Sequence, residues 1–171
     1  RLVVDPENAD VVLASVDPGL NFNTGAPSSK IYKSLDGGSS WSEVFDAGLG
    51  RVQQIVADPT NFSVLYAVLE ASGVIKSTDS GNSWRDITNG ISGIGRIELA
   101  VSPVNSKKIY ISADGSGSKL IFSSNGGDTW NEQLGDESWL GGQGWYDNTI
   151  ACDPFNEDRV YVGGINIWKI D

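Results

Sequence analysis

Apolar residues in this chain gather in short runs separated by clusters of Gly, Pro, Asp, Asn and Ser. Val52-Gln53-Gln54-Ile55-Val56-Ala57, Val64-Leu65-Tyr66-Ala67-Val68 and Val74-Ile75-Lys76-Ser77 are rich in β-branched and aromatic residues, and each is bounded by turn formers. Runs of this length with these boundaries predict strands. The unit they define has four: Val52 to Ala57, Val64 to Val68, Val74 to Ser77, and a last strand from Trp84 to Ile87. The turn between the first two reads Asp58-Pro59-Thr60-Asn61, in which Pro presets φ for a turn. It recurs as Asp5-Pro6-Glu7-Asn8, Ser102-Pro103-Val104-Asn105 and Asp153-Pro154-Phe155-Asn156, each time ahead of an apolar run.

A second repeat lies between strands three and four. Ser34-Leu35-Asp36-Gly37-Gly38-Ser39-Ser40-Trp41 reads S-x-D-x-G-x-x-W. It returns as Ser77, Asp79, Gly81, Trp84, and again as Ser123, Asn125, Gly127, Trp130 with Asn in place of Asp. The tryptophans are 43 and then 46 residues apart. Asp or Asn in a tight turn bonds nearby backbone N–H groups, Gly supplies positive φ, and Trp offers a large ring to bury. Such octets predict self-bonded hairpin turns with a structural role. A strand-rich repeat of this period predicts propeller blades. The expected fold is all-β, a β-propeller of four-stranded antiparallel blades. The units run over about 1–47, 48–92, 93–136 and 145–171, which gives three nearly whole blades and half of a fourth. One place on strand three holds Lys33, Lys76 and Lys169, with Phe122 in the third unit.

These octets are the Asp-box, or BNR, signature, and the chain resembles the Asp-box β-propellers: sialidases, xyloglucanases, sortilin-type receptors and repeats of large secreted bacterial proteins. The run Gly141-Gly142-Gln143-Gly144-Trp145-Tyr146-Asp147 ahead of Ile150-Ala151-Cys152-Asp153-Pro154 is similar to the sortilin-like repeats of bacterial proteins exported by type IX secretion. The resemblance implies a secreted or cell-surface location in a bacterium. Because propellers close with about 4–8 blades, it also implies further blades from the same parent protein, and the chain reads as an excerpt of something longer.

Composition narrows the chemistry. The formal net charge is −10 with a pI near 4.3, which argues against a nucleic-acid partner. The sequence has no run long and apolar enough to span a bilayer as a helix. One Cys, Cys152, excludes an internal disulfide framework and reads as a buried thiol. With no His, the commonest zinc ligand is absent. No metal or cofactor is expected. Asn61-Phe62-Ser63 is a glycosylation sequon.

Strand alternation puts the short Asp-Pro turns and the Asp boxes on one face of the ring. The loops between strands two and three, and the links between blades, go to the other. That second set varies: Ser15 to Ser29 is long, Ala71 to Gly73 short, Ala113 to Ser118 medium, and Leu134 to Tyr146 long and aromatic. Variable loops on a regular scaffold are where function is carried. Three groups of candidates follow. Trp139, Trp145 and Tyr146, with Asp147 beside them, suit stacking on sugars or anchoring a protein; the alternative is packing between blades. Arg51 and Arg96 open strand one of successive blades, so they point to convergence at the channel mouth, where arginines suit carboxylate capture; the alternative is blade-bridging ion pairs. Asp17, Glu70 and Asp114 follow strand two at matching places, where xyloglucanase-like relatives carry a catalytic Asp. The Gly-Gly of that motif is missing here, and glycosidases need two carboxylates at a set separation.

Two main functional expectations result, and a weaker third. One is a non-catalytic recognition or scaffold propeller for a glycan or a surface protein. The other is a glycoside hydrolase, xyloglucanase-like or sialidase-like, with part of its cleft here. A third, an assembly factor like the Asp-box protein of photosystem biogenesis, would need a stable membrane-complex partner.

Overall fold

A computed structural model describes residues 1–17, 29–48, 50–115, 117–133 and 138–171. Residues 18–28 and 134–137, where the sequence places parts of two variable loops, lie outside the described residues. The described chain forms fifteen strands and no helix, hence no helix long and apolar enough to cross a membrane.

The strands group into four antiparallel sheets, each made of consecutive strands. The first holds β1 (Leu2–Val4), β2 (Val12–Val16), β3 (Lys30–Ser34) and β4 (Ser42–Asp46). The second holds β5 (Val52–Asp58), β6 (Asn61–Leu69), β7 (Gly73–Ser77) and β8 (Arg85–Asp86). The third holds β9 (Ile97–Val101), β10 (Ile109–Gly115), β11 (Gly117–Ser123) and β12 (Asn131–Gln133). The fourth has three strands, β13 (Thr149–Cys152), β14 (Val160–Gly163) and β15 (Ile167–Ile170). This is a partial β-propeller of the expected kind.

Two details differ from the sequence expectation. Each fourth strand starts one residue after its Trp, because the ladder with strand three resumes there, as in Lys33 opposite Ser42 and Lys76 opposite Arg85. The loop expected over residues 113–118 is instead a hairpin whose strands pair as far as Gly115 opposite Gly117.

The core is three separate apolar layers, one between each pair of successive sheets. Leu13 and Ile31 of the first sheet meet Ile55, Leu65, Ala67 and Ile75 of the second. Tyr66, Val68, Val74 and Ile87 of the second meet Ile97, Leu99 and Ile111 of the third. Tyr110 and Leu120 of the third meet Val160 and Val162 of the fourth. Period-two alternation sends neighbouring residues to opposite faces. Leu65 therefore packs backward while Tyr66 packs forward, and the middle sheets are apolar on both sides.

The Asp boxes are turns that satisfy themselves. Ser34 Oγ donates to Asp36 Oδ1 at 2.7 Å and accepts the Gly38 N–H at 2.8 Å. Asp36 Oδ1 accepts the Ser40 N–H at 2.8 Å, and Oδ2 accepts the Ser40 hydroxyl at 2.6 Å. Ser77, Asp79, Gly81 and Ser83 repeat the pattern. In the third box one bond reverses direction. Asn125 Oδ1 still accepts the Thr129 N–H, but Nδ2 now donates to Thr129 Oγ1 at 2.9 Å. A hydroxyl both donates and accepts, so Asn replaces Asp without an unpaired group. The bonds from the serine hydroxyls and backbone hold the Asp36 and Asp79 carboxyls down at about 2.

The second and third boxes also grip the blade before them. Lys33 Nζ donates to Asn82 Oδ1 at 2.9 Å, and Lys76 Nζ to Gly126 O at 2.8 Å. Trp130 Nε1 donates to Ile87 O at 2.7 Å, and the Trp84 ring packs on Phe45. Trp41, in the first sheet, packs on no described sheet before it. Its Nε1 turns back to Gly38 O, and its ring is 41% exposed.

Candidate functional site

The site is built at the inner strands and the loops above them. β5 and β9 run side by side. Gln53 Oε1 and Gln54 Oε1 accept the N–H groups of Ile97 and Leu99, at 3.4 and 2.7 Å. These side chains give the inner edge of one sheet hydrogen-bond partners from the next, where an unpaired edge would carry a cost. Above them a cleft of about 300 Å³ is lined by Arg1, Ser15, Asp17, Arg51, Val52, Gln53 and Arg96. Arg51 and Arg96 meet there, along with Arg1 from the first sheet.

Carboxylates already occupy these guanidiniums. Arg51 Nε donates to Asp17 Oδ2 at 2.5 Å, and its Nη1 to Glu70 Oε2 at 3.2 Å. The hydrogen bond that Arg51 donates to Asp17 is the main reason the Arg51 pKa rises further. Arg96 Nη2 donates to Glu98 Oε1 at 2.9 Å, and Arg1 Nη2 lies 3.5 Å from the same oxygen. Glu98 is a buried carboxylate on the third sheet, held by arginines of the first and third. The ring of arginines is thus a ring of ion pairs that bridges blades. Among the acids expected from the sequence, Asp17 and Glu70 share one arginine, and Asp114 lies elsewhere. A Cβ added at Gly144 would sit 2.7 Å from the Asp114 carboxyl, so that acid closes against the aromatic link.

The aromatic link divides into an anchor and a platform. For Trp139 the structure overturns the ligand-contact expectation and matches its alternative, packing between blades. Trp139 is 1% exposed, belongs to the core between the third and fourth sheets, and its Nε1 donates to Ser112 Oγ at 2.9 Å. A ring that buries roughly 150–250 Å² is worth more sealing the end of a core than standing in water. Leu140 follows it into the core, with its N–H bonded to Ser118 Oγ. From this anchor the chain turns through Gly141 and Gly142, both at positive φ. The N–H groups of Tyr146 and Asp147 then close onto Gln143 O, each at 2.8 Å. Trp145 and Tyr146 stand on that turn, 68% and 66% exposed, with ring centroids 5.6 Å apart and planes tilted by 53°. Asp147, next in the chain, is half-buried.

Backbone bonds join the parts into one surface. The Ala71 N–H donates to Gly95 O, Gly95 N–H to Asp114 O, and Asp114 N–H to Arg96 O. Asn148, buried, donates from Nδ2 to Ser112 O at 2.9 Å and to Arg96 O at 3.3 Å. Sequence reasoning missed Glu98, Gln53, Gln54 and Asn148. The signal available for the first three was polar residues inside otherwise apolar strand-one runs. Cys152 is partly buried, and burial pushes its thiol up to about 12. Among the described residues no cluster of His, Cys, Asp or Glu could hold a metal.

Sheets stacked face to face, Asp boxes on one face and variable loops on the other define an Asp-box β-propeller module. Residues 29–159 match the Sortilin-Vps10 family (sortilin, neurotensin receptor 3), and the chain belongs to that family. It is 29% identical over 158 residues to a xyloglucanase of Hypocrea jecorina (strain QM6a), covering 91% of this chain and 18% of that protein. Its fold matches the GH74 enzyme of Niastella koreensis with a TM-score of 0.67 at 22% identity, covering 99% of this chain and 36% of that one. It matches an auxiliary nutrient binding protein from Bacteroides thetaiotaomicron VPI-5482 with a TM-score of 0.62 at 14% identity, covering 98% and 37%. The chain therefore spans under a fifth of the curated relative and just over a third of these two structures. The structural likenesses establish the fold.

Proposed function

We propose that this chain is a glycan-recognising module of an exported propeller protein, with Trp145 and Tyr146 as the stacking surface. The observation that carries this reading is the exposure of two adjacent large rings on a turn fixed from below by a fully buried Trp139. Sugar rings present C–H faces that suit an aromatic plane, and a preformed platform avoids the ordering cost of a mobile loop. The ion-paired cleft and Asp114 supply polar groups beside it. Similarity to a xyloglucanase supports a plant-type polysaccharide as the ligand class.

The scaffold part of the proposal rests on the first sheet. Ala14, Tyr32 and Trp41 line an open apolar pocket with Val16. Their positional equivalents Ala67, Ile75 and Trp84 pack into the layer between the first and second sheets. The open face is thus built to receive another blade, which the parent protein supplies.

The test is affinity electrophoresis and calorimetry with xyloglucan and a panel of neutral polysaccharides. Trp145→Ala is expected to weaken binding at least about tenfold, which corresponds to about 1.4 kcal/mol. No binding across the panel, or binding indifferent to Trp145 and Tyr146, refutes the reading; retention of a surface protein in place of glycan would then favour protein recognition. A second reading, glycoside hydrolysis with part of the cleft in this chain, is supported by the same xyloglucanase similarity. It predicts turnover of xyloglucan by the parent protein that is lost in Asp17→Asn or Asp114→Asn.

A further inference from the structure

The sequence contains two Asn–Gly pairs, Asn89–Gly90 and Asn125–Gly126. Asn followed by Gly is the pair best placed for attack of a backbone nitrogen on the side-chain amide, because Gly offers no Cβ to obstruct it. The two pairs sit in opposite circumstances. We propose that Asn89 is a site of spontaneous deamidation in the folded protein, and that the Asp-box turn shields Asn125 from the same reaction.

Asn89 and Gly90 form the middle of a turn on the link between the second and third sheets, closed by the Ile91 N–H donating to Thr88 O at 2.8 Å. Both are exposed, and a Cβ on Gly90 would meet nothing within 4 Å. Among the described residues, no group bonds the Asn89 carboxamide or the Gly90 N–H. The side chain is free to rotate toward the nitrogen, and water reaches both.

At Asn125 every part of the reaction is tied down. Oδ1 accepts the Ser123 hydroxyl and the Thr129 N–H, each at 2.9 Å, and Nδ2 donates to Thr129 Oγ1. The attacking nitrogen is occupied as well, since the Gly126 N–H donates to Lys107 O at 2.9 Å. Gly126 is itself buried. Cyclisation there requires the box to open first, so the rate falls with the fraction open.

The chemistry needs only water. The Gly90 nitrogen gives its proton to solvent base and bonds to Asn89 Cγ. The Cγ–Nδ2 bond breaks and ammonia leaves with a proton from water. Water then opens the cyclic imide at one of its two carbonyls. One opening gives Asp. The other gives isoaspartate, which carries the main chain through the side-chain carbon. Either product adds a negative charge to the face that carries the variable loops. Isoaspartate also lengthens a turn that leads directly to Ile91, a core residue. At Asn125 the same reaction would restore the Asp of the other two boxes; the turn that tolerates Asn also preserves it.

The test incubates the full chain in mildly alkaline buffer, folded and in concentrated urea, and follows each peptide by mass spectrometry with separation of the isoaspartyl form. In urea both sites are expected to convert at comparable rates, each with a gain of about 1 Da. In the folded chain Asn89 should convert at close to its unfolded rate, and Asn125 at least about tenfold more slowly than in urea. Gly90→Ala should slow the first site and leave the second alone. Protection of Asn89 equal to that of Asn125 overturns the proposal. So does conversion of Asn125 in the folded chain at its unfolded rate.

Discussion

Gly81 is the position where the repeat and the packing of repeats meet, and replacing it by alanine separates their energies. Gly38, Gly81 and Gly127 hold the same place in the three boxes, with φ of +92°, +82° and +91°. Alanine in this left-handed region costs roughly 1–2 kcal/mol, and that strain is common to all three. The surroundings differ. A Cβ at Gly81 would lie 2.2 Å from Leu13 Cδ2 in the sheet before it, and one at Gly127 2.5 Å from Ile87 Cδ1. At Gly38 the nearest atom is Trp41 Cζ2 at 3.5 Å, an ordinary contact. Leu13 is fully buried among Ile31, Leu65 and Ile75, so it has little room to give way. Overpacking of a filled core costs roughly 1–3 kcal/mol more. Gly38→Ala should therefore lose about 1–2 kcal/mol through strain, and Gly81→Ala and Gly127→Ala about 2–5 kcal/mol. With a urea dependence of about 2 kcal/mol per molar, the midpoints of the latter two should fall below that of Gly38→Ala by roughly 0.5–1.5 M. Circular dichroism and tryptophan fluorescence should be followed together, since stacked repeats can unfold in parts. Equal shifts for the three variants would show that the boxes matter only as turns and that the reasoning about blade contact is wrong.

Other outcomes follow from the same contacts. Trp139→Ala should cost about 3–5 kcal/mol of stability, as for a large core ring, while Trp145→Ala should stay within about 0.5 kcal/mol; chemical denaturation of both variants checks this. The Asp36 and Asp79 carboxyls are held at about 2 against an ordinary 3.8. Their stabilisation should be fully present above the ordinary value and disappear as pH falls from about 4 to about 2; an acid titration of the Asp36→Asn, Asp79→Asn double variant should show a shallower loss over that range. Asn125→Asp should change stability at neutral pH by no more than about 0.5 kcal/mol, because the Thr129 hydroxyl can turn to donate, and should add a third box to the acid-sensitive set. Arg51→Ala should cost no more than about 1 kcal/mol, since the guanidinium that joins Asp17 and Glu70 is largely exposed; a larger loss on denaturation would mean that the cleft is a structural keystone.

The sequence by itself determined the repeat. Ser, Asp and Gly at fixed spacing close their turns by local bonds, and a residue's own neighbours decide such bonds wherever the turn sits. The up-and-down order of four strands per unit likewise put the turns and the variable loops on opposite faces. Tertiary structure alone decided which aromatic residues are free. Trp139 and Trp145 are both indoles among glycines in one link, yet one fills the gap at the end of a core and the other stands in solvent. That difference depends on the shape of the space between the third and fourth sheets, which no local pattern encodes. The arginines show the same division. Their places at the head of strand one foretold convergence. That Glu98 reaches Arg1 and Arg96 together, and that Arg51 is shared by Asp17 and Glu70, depends on how far each sheet is turned against the next, a quantity set by the packing of the apolar layers between them.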